Sequence, residues 1–186
     1  MGLPTGRQDH FPALLGGVLE IRHEVGGEQI HPLVVDLEAL GRSLIVAYTG
    51  KSHFSAGKNW QVVRRRLDGD EEIVRLLDGI ARAAAELPEA LEQGDLARVG
   101  ELMSAEWSYR SHLAEGITTP TIDSLLAAAR DSGAWGGKGC GAGGGGSIAV
   151  LAPASKRDQV AASLRQAGAQ LLTAAPTGEP LSIERR

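Results

Sequence analysis

The order of apolar patterns along the chain predicts an α+β fold. Three observations carry that prediction. Strand-like segments crowd the first 48 residues, helical spacing dominates from about residue 54 to Gly133, and a strand-helix-strand series closes the chain.

Val18–Glu24 mixes apolar and charged side chains in the alternation of a half-buried strand. Gly26-Gly27 suits the left-handed angles of a tight hairpin. The return strand is expected over Gln29–Val35, where Pro32 restricts it to an edge or a bulge. A turn is expected around Leu40-Gly41-Arg42, and Ser43–Tyr48 is continuous enough for a central strand.

The helical block opens over residues 54 to 66, where Trp60, Val63 and Leu67 share one face beside Arg64-Arg65-Arg66. Asp70 is an N-cap residue, after which Ile73, Leu76, Leu77, Ile80 and Ala84 recur at helical spacing up to Pro88. A second long helix from about Asp95 turns Leu96, Val99, Leu102, Met103, Trp107 and Leu113 inward. Thr119 caps a third, with Pro120 at its first position, and Gly133 ends it. Ser147–Leu151 has the composition of a buried strand. Ser155–Asp158 resembles a capping box, and Val160, Leu164 and Ala167 continue one face to a stop at Gly168. Ala169–Ala174 is expected as a strand, and Leu181–Ile183 as a last short one.

The 186 residues suffice for one full core, with a net charge of −4 and charged residues at 23%. That balance lacks the basic surface on which general nucleic-acid binding relies, and the composition is too apolar for a disordered chain. One cysteine, Cys140, excludes an intrachain disulfide and fits a reducing compartment. No apolar run approaches membrane-spanning length, and the first residues carry no signal-peptide pattern, so a cytoplasmic protein without membrane or nucleic-acid partners is expected. His10, His23, His31, His53 and His112 are scattered without metal-ligand spacing, and no metal site is expected.

Eight of the 25 glycines fall between Gly136 and Gly146. Such a run lets successive backbone N–H groups converge on an anion, and Lys138 adds a point charge. It also has the look of a flexible linker. Against a linker stand the embedded Lys138 and Cys140 and the apolar strand that follows directly. The expected order is helix, glycine loop, strand, which matches neither a nucleotide P-loop nor a dinucleotide fingerprint.

Lys138-Gly-Cys-Gly-Ala-Gly-Gly-Gly-Gly146 resembles the third motif of the GHMP kinases, the galactokinase, homoserine kinase, mevalonate kinase and phosphomevalonate kinase superfamily. Tyr48–Ser55, the Met103–Trp107 stretch and Gly116–Asp123 are similar to the heptose-phosphate kinase and fucokinase branch. Gly6–His10 resembles the segment that carries that family's catalytic aspartate, although His10 departs from the residue common there. The resemblance covers nearly the whole chain, but only the C-terminal half of such a kinase. It implies residues 1–36 as a remnant of the N-terminal domain and residues 37–186 as a ferredoxin-like C-terminal domain. Asp9 is then the catalytic carboxylate, accepting or orienting a hydroxyl proton. Lys138, Gly141, Ala142, Gly143, Gly144, Gly145 and Gly146 lie near the nucleotide phosphates. Tyr48, Thr49, Ser52 and Ser55 are substrate contacts or, equally, ordinary turn residues after a strand.

The function so implied is phosphoryl transfer from ATP, with Mg2+ carried on the nucleotide, to a hydroxyl of a sugar or sugar phosphate. The glycine-serine-rich phosphate motif of the family's N-terminal half has no counterpart in residues 1 to 5, so the chain alone is expected to be inactive. The rivals are a catalytically incomplete binding or assembly module derived from such a kinase, and a fragment without independent function. The expected partner is a second copy, forming a homodimer, or a complementary N-terminal fragment.

Overall fold

The computed structural model describes residues 8–50, 56–141 and 143–182. The short helix α1 (His10–Leu15) precedes a hairpin of β1 (Val18–Glu24) and β2 (Gly27–Leu33). Glu24 pairs with Gly27, so the turn is Val25-Gly26, and β2 begins two residues earlier than expected. Pro32 is accepted opposite Leu19 in this two-stranded ribbon. The C-terminal segment ties the hairpin down, since the Gly17 amide donates to the Thr177 carbonyl at 2.9 Å.

Where a turn was expected around Gly41, the chain forms α2 (Leu37–Ser43). The Asp36 carboxylate accepts from the Ala39 amide at 2.9 Å, and Glu38 pairs with Arg42 one turn on. Cap and ion pair together outweigh the helix penalty of one glycine.

Beyond it lies a four-stranded sheet. Its strands are β3 (Leu44–Tyr48), β4 (Gly136–Gly139), β5 (Ser147–Leu151) and β6 (Gln170–Leu172). The order is β4-β5-β3-β6 and every pairing is antiparallel. Helices α3 (Ala56–Leu67), α4 (Glu71–Glu92), α5 (Leu96–Arg110) and α6 (Pro120–Asp131) connect β3 to β4. Helix α7 (Arg157–Gln166) connects β5 to β6. Counting the helical block as one crossover, this is the split βαβ-βαβ arrangement of a ferredoxin-like fold, as expected. Ile45, Ala47, Ile148 and Val150 from the sheet meet Ile73, Leu76, Ile122, Leu125 and Leu164 from the helices in one core.

Several expectations are corrected. Helix α4 continues through Pro88 to Glu92 instead of stopping there. Its second half buries Ala83 and Ala90 against Val99 and Leu102 of α5, and that packing outweighs the lost backbone bond. On α3, Trp60 and Leu67 are 68% and 78% exposed; Val62 is the residue that packs on the core. Periodicity gives an apolar face but not its direction, and the Arg65–Asp70 hydrogen bond at 2.8 Å helps orient α3 against the start of α4. Ser155 makes no cap: a 3-10 turn over Ala154–Lys156 leads into α7, whose N-cap Lys156 has no side-chain cap bond. Strand β6 is shorter than Ala169–Ala174. Leu181 and Ser182 are not in a strand, and Ile183 lies outside the described residues.

The largest correction concerns the glycine run. Its first four residues are β4, so a strand stands between α6 and the loop. Helix α5 lies directly on this strand. A Cβ on Gly100 would come within 2.7 Å of the Trp135 Cβ, and one on Gly136 would overlap the Gly100 carbonyl. A Cβ on Gly139 would enter the ring of Trp107. Ser104 Oγ accepts from the Gly137 amide at 3.0 Å, which satisfies a donor on the strand.

Two substitutions separate backbone strain from collision. Gly141 (φ 65°) has open space around a Cβ, whereas at Gly143 (φ 80°) a Cβ would strike the Ile117 carbonyl. In urea unfolding, Gly141→Ala is expected to cost about 1–2 kcal/mol from the left-handed angle alone. Gly143→Ala and Gly136→Ala should each cost about 1–3 kcal/mol from the collision, with Gly143→Ala bearing the angle penalty as well. Equal losses for Gly141→Ala and Gly143→Ala would contradict the packing described.

Candidate functional site

The residues joining β4 to β5 are held at both ends and in the middle. The Cys140 amide donates to the Ser147 carbonyl at 2.8 Å, and the Gly144 amide donates to the Ile117 carbonyl at 2.7 Å. The Thr49 amide, just beyond β3, donates to the Gly146 carbonyl at 2.8 Å. Gly141, Gly143, Gly144, Gly145 and Gly146 all have positive φ, so the path is one that side chains rarely follow. These bonds and angles make the segment a built part of the fold instead of a linker.

Gly143, Gly144 and Gly145 are buried. Of their amides, only that of Gly144 donates to an acceptor among the described residues; those of Gly143 and Gly145, and that of neighbouring Gly146, do not. Buried amides are nearly always paired, by water or ligand if not by protein. The Gly145 and Gly146 donors are adjacent, and successive backbone amides of a turn can form an anion-binding concavity.

Sequence reasoning gave Lys138 to this anion, and the structure gives it a different neighbour. Its ammonium lies 2.5 Å from Glu106 Oε2, on a carboxylate only 5% exposed. The approach is off the hydrogen-bond direction, so the attraction is chiefly coulombic. Arg110 pairs with the other oxygen, Oε1. The two cations together compensate a carboxylate that is itself buried. Cys140 follows two residues later; burial pushes its thiol up, and the Lys138 charge pulls it partly back.

The structure brings Tyr48 and Thr49 to the loop. Tyr48 pairs with Ser147 across the sheet, and Thr49 is buried against Gly146. Ser52, Ser55 and Ala142 lie outside the described residues. Asp9 is exposed at the N-terminus of α1, and its side chain makes no cap bond there. A cleft of about 460 Å3 lies elsewhere, between α5, α6 and β4, walled by Ser104, Trp107, Leu126 and Trp135. Gly136 and Gly137 of the glycine run and Trp107 line it, but none of the residues assigned to catalysis, phosphate or substrate from the sequence does.

Glu106 and Ile117 lie within the Met103–Trp107 and Gly116–Asp123 stretches, but the sequence assigns neither a role. Glu106 stands four residues after Leu102 and beside Trp107, on the face already assigned inward, so helical spacing was a usable signal. Ile117 contributes a backbone carbonyl, and no side-chain pattern announces that. Among the described residues, no group of three or more His, Cys, Asp or Glu side chains is placed to hold a metal. Nor is any described helix long and apolar enough to cross a membrane.

Residues 87–170 match the family model described as GHMP kinases C terminal. The mevalonate kinase of Pyrococcus abyssi is 31% identical over 95% of this chain and 51% of its own length. The D-glycero-alpha-D-manno-heptose 7-phosphate kinase of Campylobacter jejuni is 26% identical over 89% of this chain and 50% of its own. The crystal structure of L. major mevalonate kinase in complex with R-mevalonate superposes with a TM-score of 0.79 at 24% identity, covering 98% of this chain and 55% of that one. This chain spans about half the length of the curated relatives it matches. With a ferredoxin-like sheet and a glycine loop locked between its strands, the chain belongs to the GHMP kinase superfamily and carries its C-terminal domain.

Proposed function

We propose that these residues form the C-terminal part of an ATP-dependent small-molecule kinase, with residues 37–186 as its C-terminal domain and residues 1–36 belonging to the N-terminal one. The observation that carries this reading is the locked glycine loop, whose Gly143, Gly145 and Gly146 amides have no acceptor among the described residues. ATP, arriving with Mg2+, supplies the transferable phosphoryl group. The loop amides hold phosphate charge with fixed dipoles, which need no reorganisation during transfer. Asp9 holds or accepts the proton of the substrate hydroxyl, while Tyr48 and Thr49 line its approach, with Ser52 and Ser55 assigned beside them from the sequence alone. The substrate class is a sugar or sugar phosphate, to which the names of most matched relatives add mevalonate.

A second reading, the incomplete binding or assembly module, draws on the surface around Asp9. Leu14 and Leu15 of α1 are about half exposed, next to the residue assigned to catalysis. A covering partner, either a second copy or a complementary N-terminal fragment, would bury them.

The two readings differ on nucleotide binding, which the kinase reading expects and a nucleotide-free module does not, and neither expects turnover from this chain alone. Ligand that binds the folded state raises its melting temperature. MgATP is therefore expected to raise Tm where adenosine does not, and an unchanged Tm at saturating MgATP would contradict the loop assignment. In a coupled ADP-release assay with sugars, heptose phosphates and mevalonate, the purified chain alone is expected to show no turnover. Turnover lost in Asp9→Asn would contradict that expectation and place the full activity in this chain.

Light scattering is expected to show a dimer or larger species. A monomer at high concentration would contradict a second copy as the covering partner.

A further inference from the structure

Strand β4 reads Gly-Gly-Lys-Gly, so Lys138 is its sole side chain. A strand of glycines gives up more backbone entropy on ordering than any other and offers nothing to pack. Yet the glycine loop departs from its end, and the position of the loop amides depends on where that strand is fixed. Two groups on α5 grip it: Ser104 through the Gly137 amide, and Glu106 through the Lys138 ammonium at 2.5 Å. Glu106 is buried and also bound by Arg110 of the same helix, so its carboxylate is neither free to move nor without charge compensation.

We propose that Glu106 is a positioning residue: its buried carboxylate clamps Lys138, fixes the strand from which the glycine loop departs, and keeps the lysine's charge from serving as a direct phosphate contact. The functional consequence rests on the loop being the phosphate site proposed above; the clamp itself does not.

Cys140 is the chain's single cysteine and lies within reach of the Lys138 charge, which makes it a local reporter that needs no nucleotide. The experiment measures iodoacetamide alkylation of Cys140 against pH in the wild type, Glu106→Gln, Glu106→Asp and Lys138→Met. Removing the carboxylate leaves Lys138 uncompensated beside the thiol. Glu106→Gln should therefore move the profile to lower pH and speed alkylation at a fixed neutral pH on the order of three- to ten-fold. Lys138→Met removes the cation and should move the profile to higher pH with a comparable slowing. Glu106→Asp keeps the charge and should stay close to wild type.

Opposite shifts in Glu106→Gln and Lys138→Met are the result expected of the clamp. General loosening of the structure would instead expose the thiol in both variants and accelerate both. Shifts of the same sign, or an unaltered profile in Glu106→Gln, would overturn the proposal, as would Glu106→Asp behaving like Glu106→Gln. Failure of the phosphate-site reading shows separately, as an unchanged wild-type Tm with MgATP.

Discussion

Helix α5 can approach β4 closely because Gly100 on the helix and the glycines of the strand lack the Cβ atoms that would keep them apart. Gly100 faces Trp135 and Gly136, and a Cβ on either glycine would collide with the other element. Trp107 occupies the space above Gly139 that a side chain would otherwise fill. This contact does two jobs. It covers the outer edge of the four-stranded sheet, and it sets the height at which the chain leaves β4 to form the loop. The rest of the site follows from that height, since Ile117 and Thr49 can reach Gly144 and Gly146 only if the strand lies where α5 holds it.

The glycines of this region therefore serve two different physical ends. Those in β4 are small because another backbone or ring is too near, whereas those from Gly141 onward are needed for positive φ. Gly143 is subject to both constraints. A linker would show neither requirement. Its described glycines offer backbone dipoles without side chains, the surface we propose for an anion that must be held while its charge shifts. Charged side chains are placed one step back, with Glu106 taking up the lysine and arginine charges inside the fold.

Much of the fold was legible in the residues. Val18–Glu24 and Ser147–Leu151 are strands with the bounds their patterns predict, and Asp70, Asp95 and Thr119 cap their helices through side-chain bonds to the following amides. These features are local, set by alternation or by one side chain and its own turn. The misreadings share a different cause. Pro88 inside α4, the outward face of α3 and strand β4 are decided by what packs against them, which no window of ten residues contains. The same division holds for the site: the glycine loop announced itself by composition, while Glu106 and the Ile117 carbonyl are defined by partners distant in sequence.

If α5 seals β4 and thereby fixes the loop, amide hydrogen exchange on the wild-type protein will show it. Gly137 donates to Ser104 Oγ and Gly144 to the Ile117 carbonyl, so both amides should exchange as slowly as Val150 within the sheet core. If Gly137 and Gly144 exchange rapidly while Val150 stays protected, the edge is open and the loop is not held by α5.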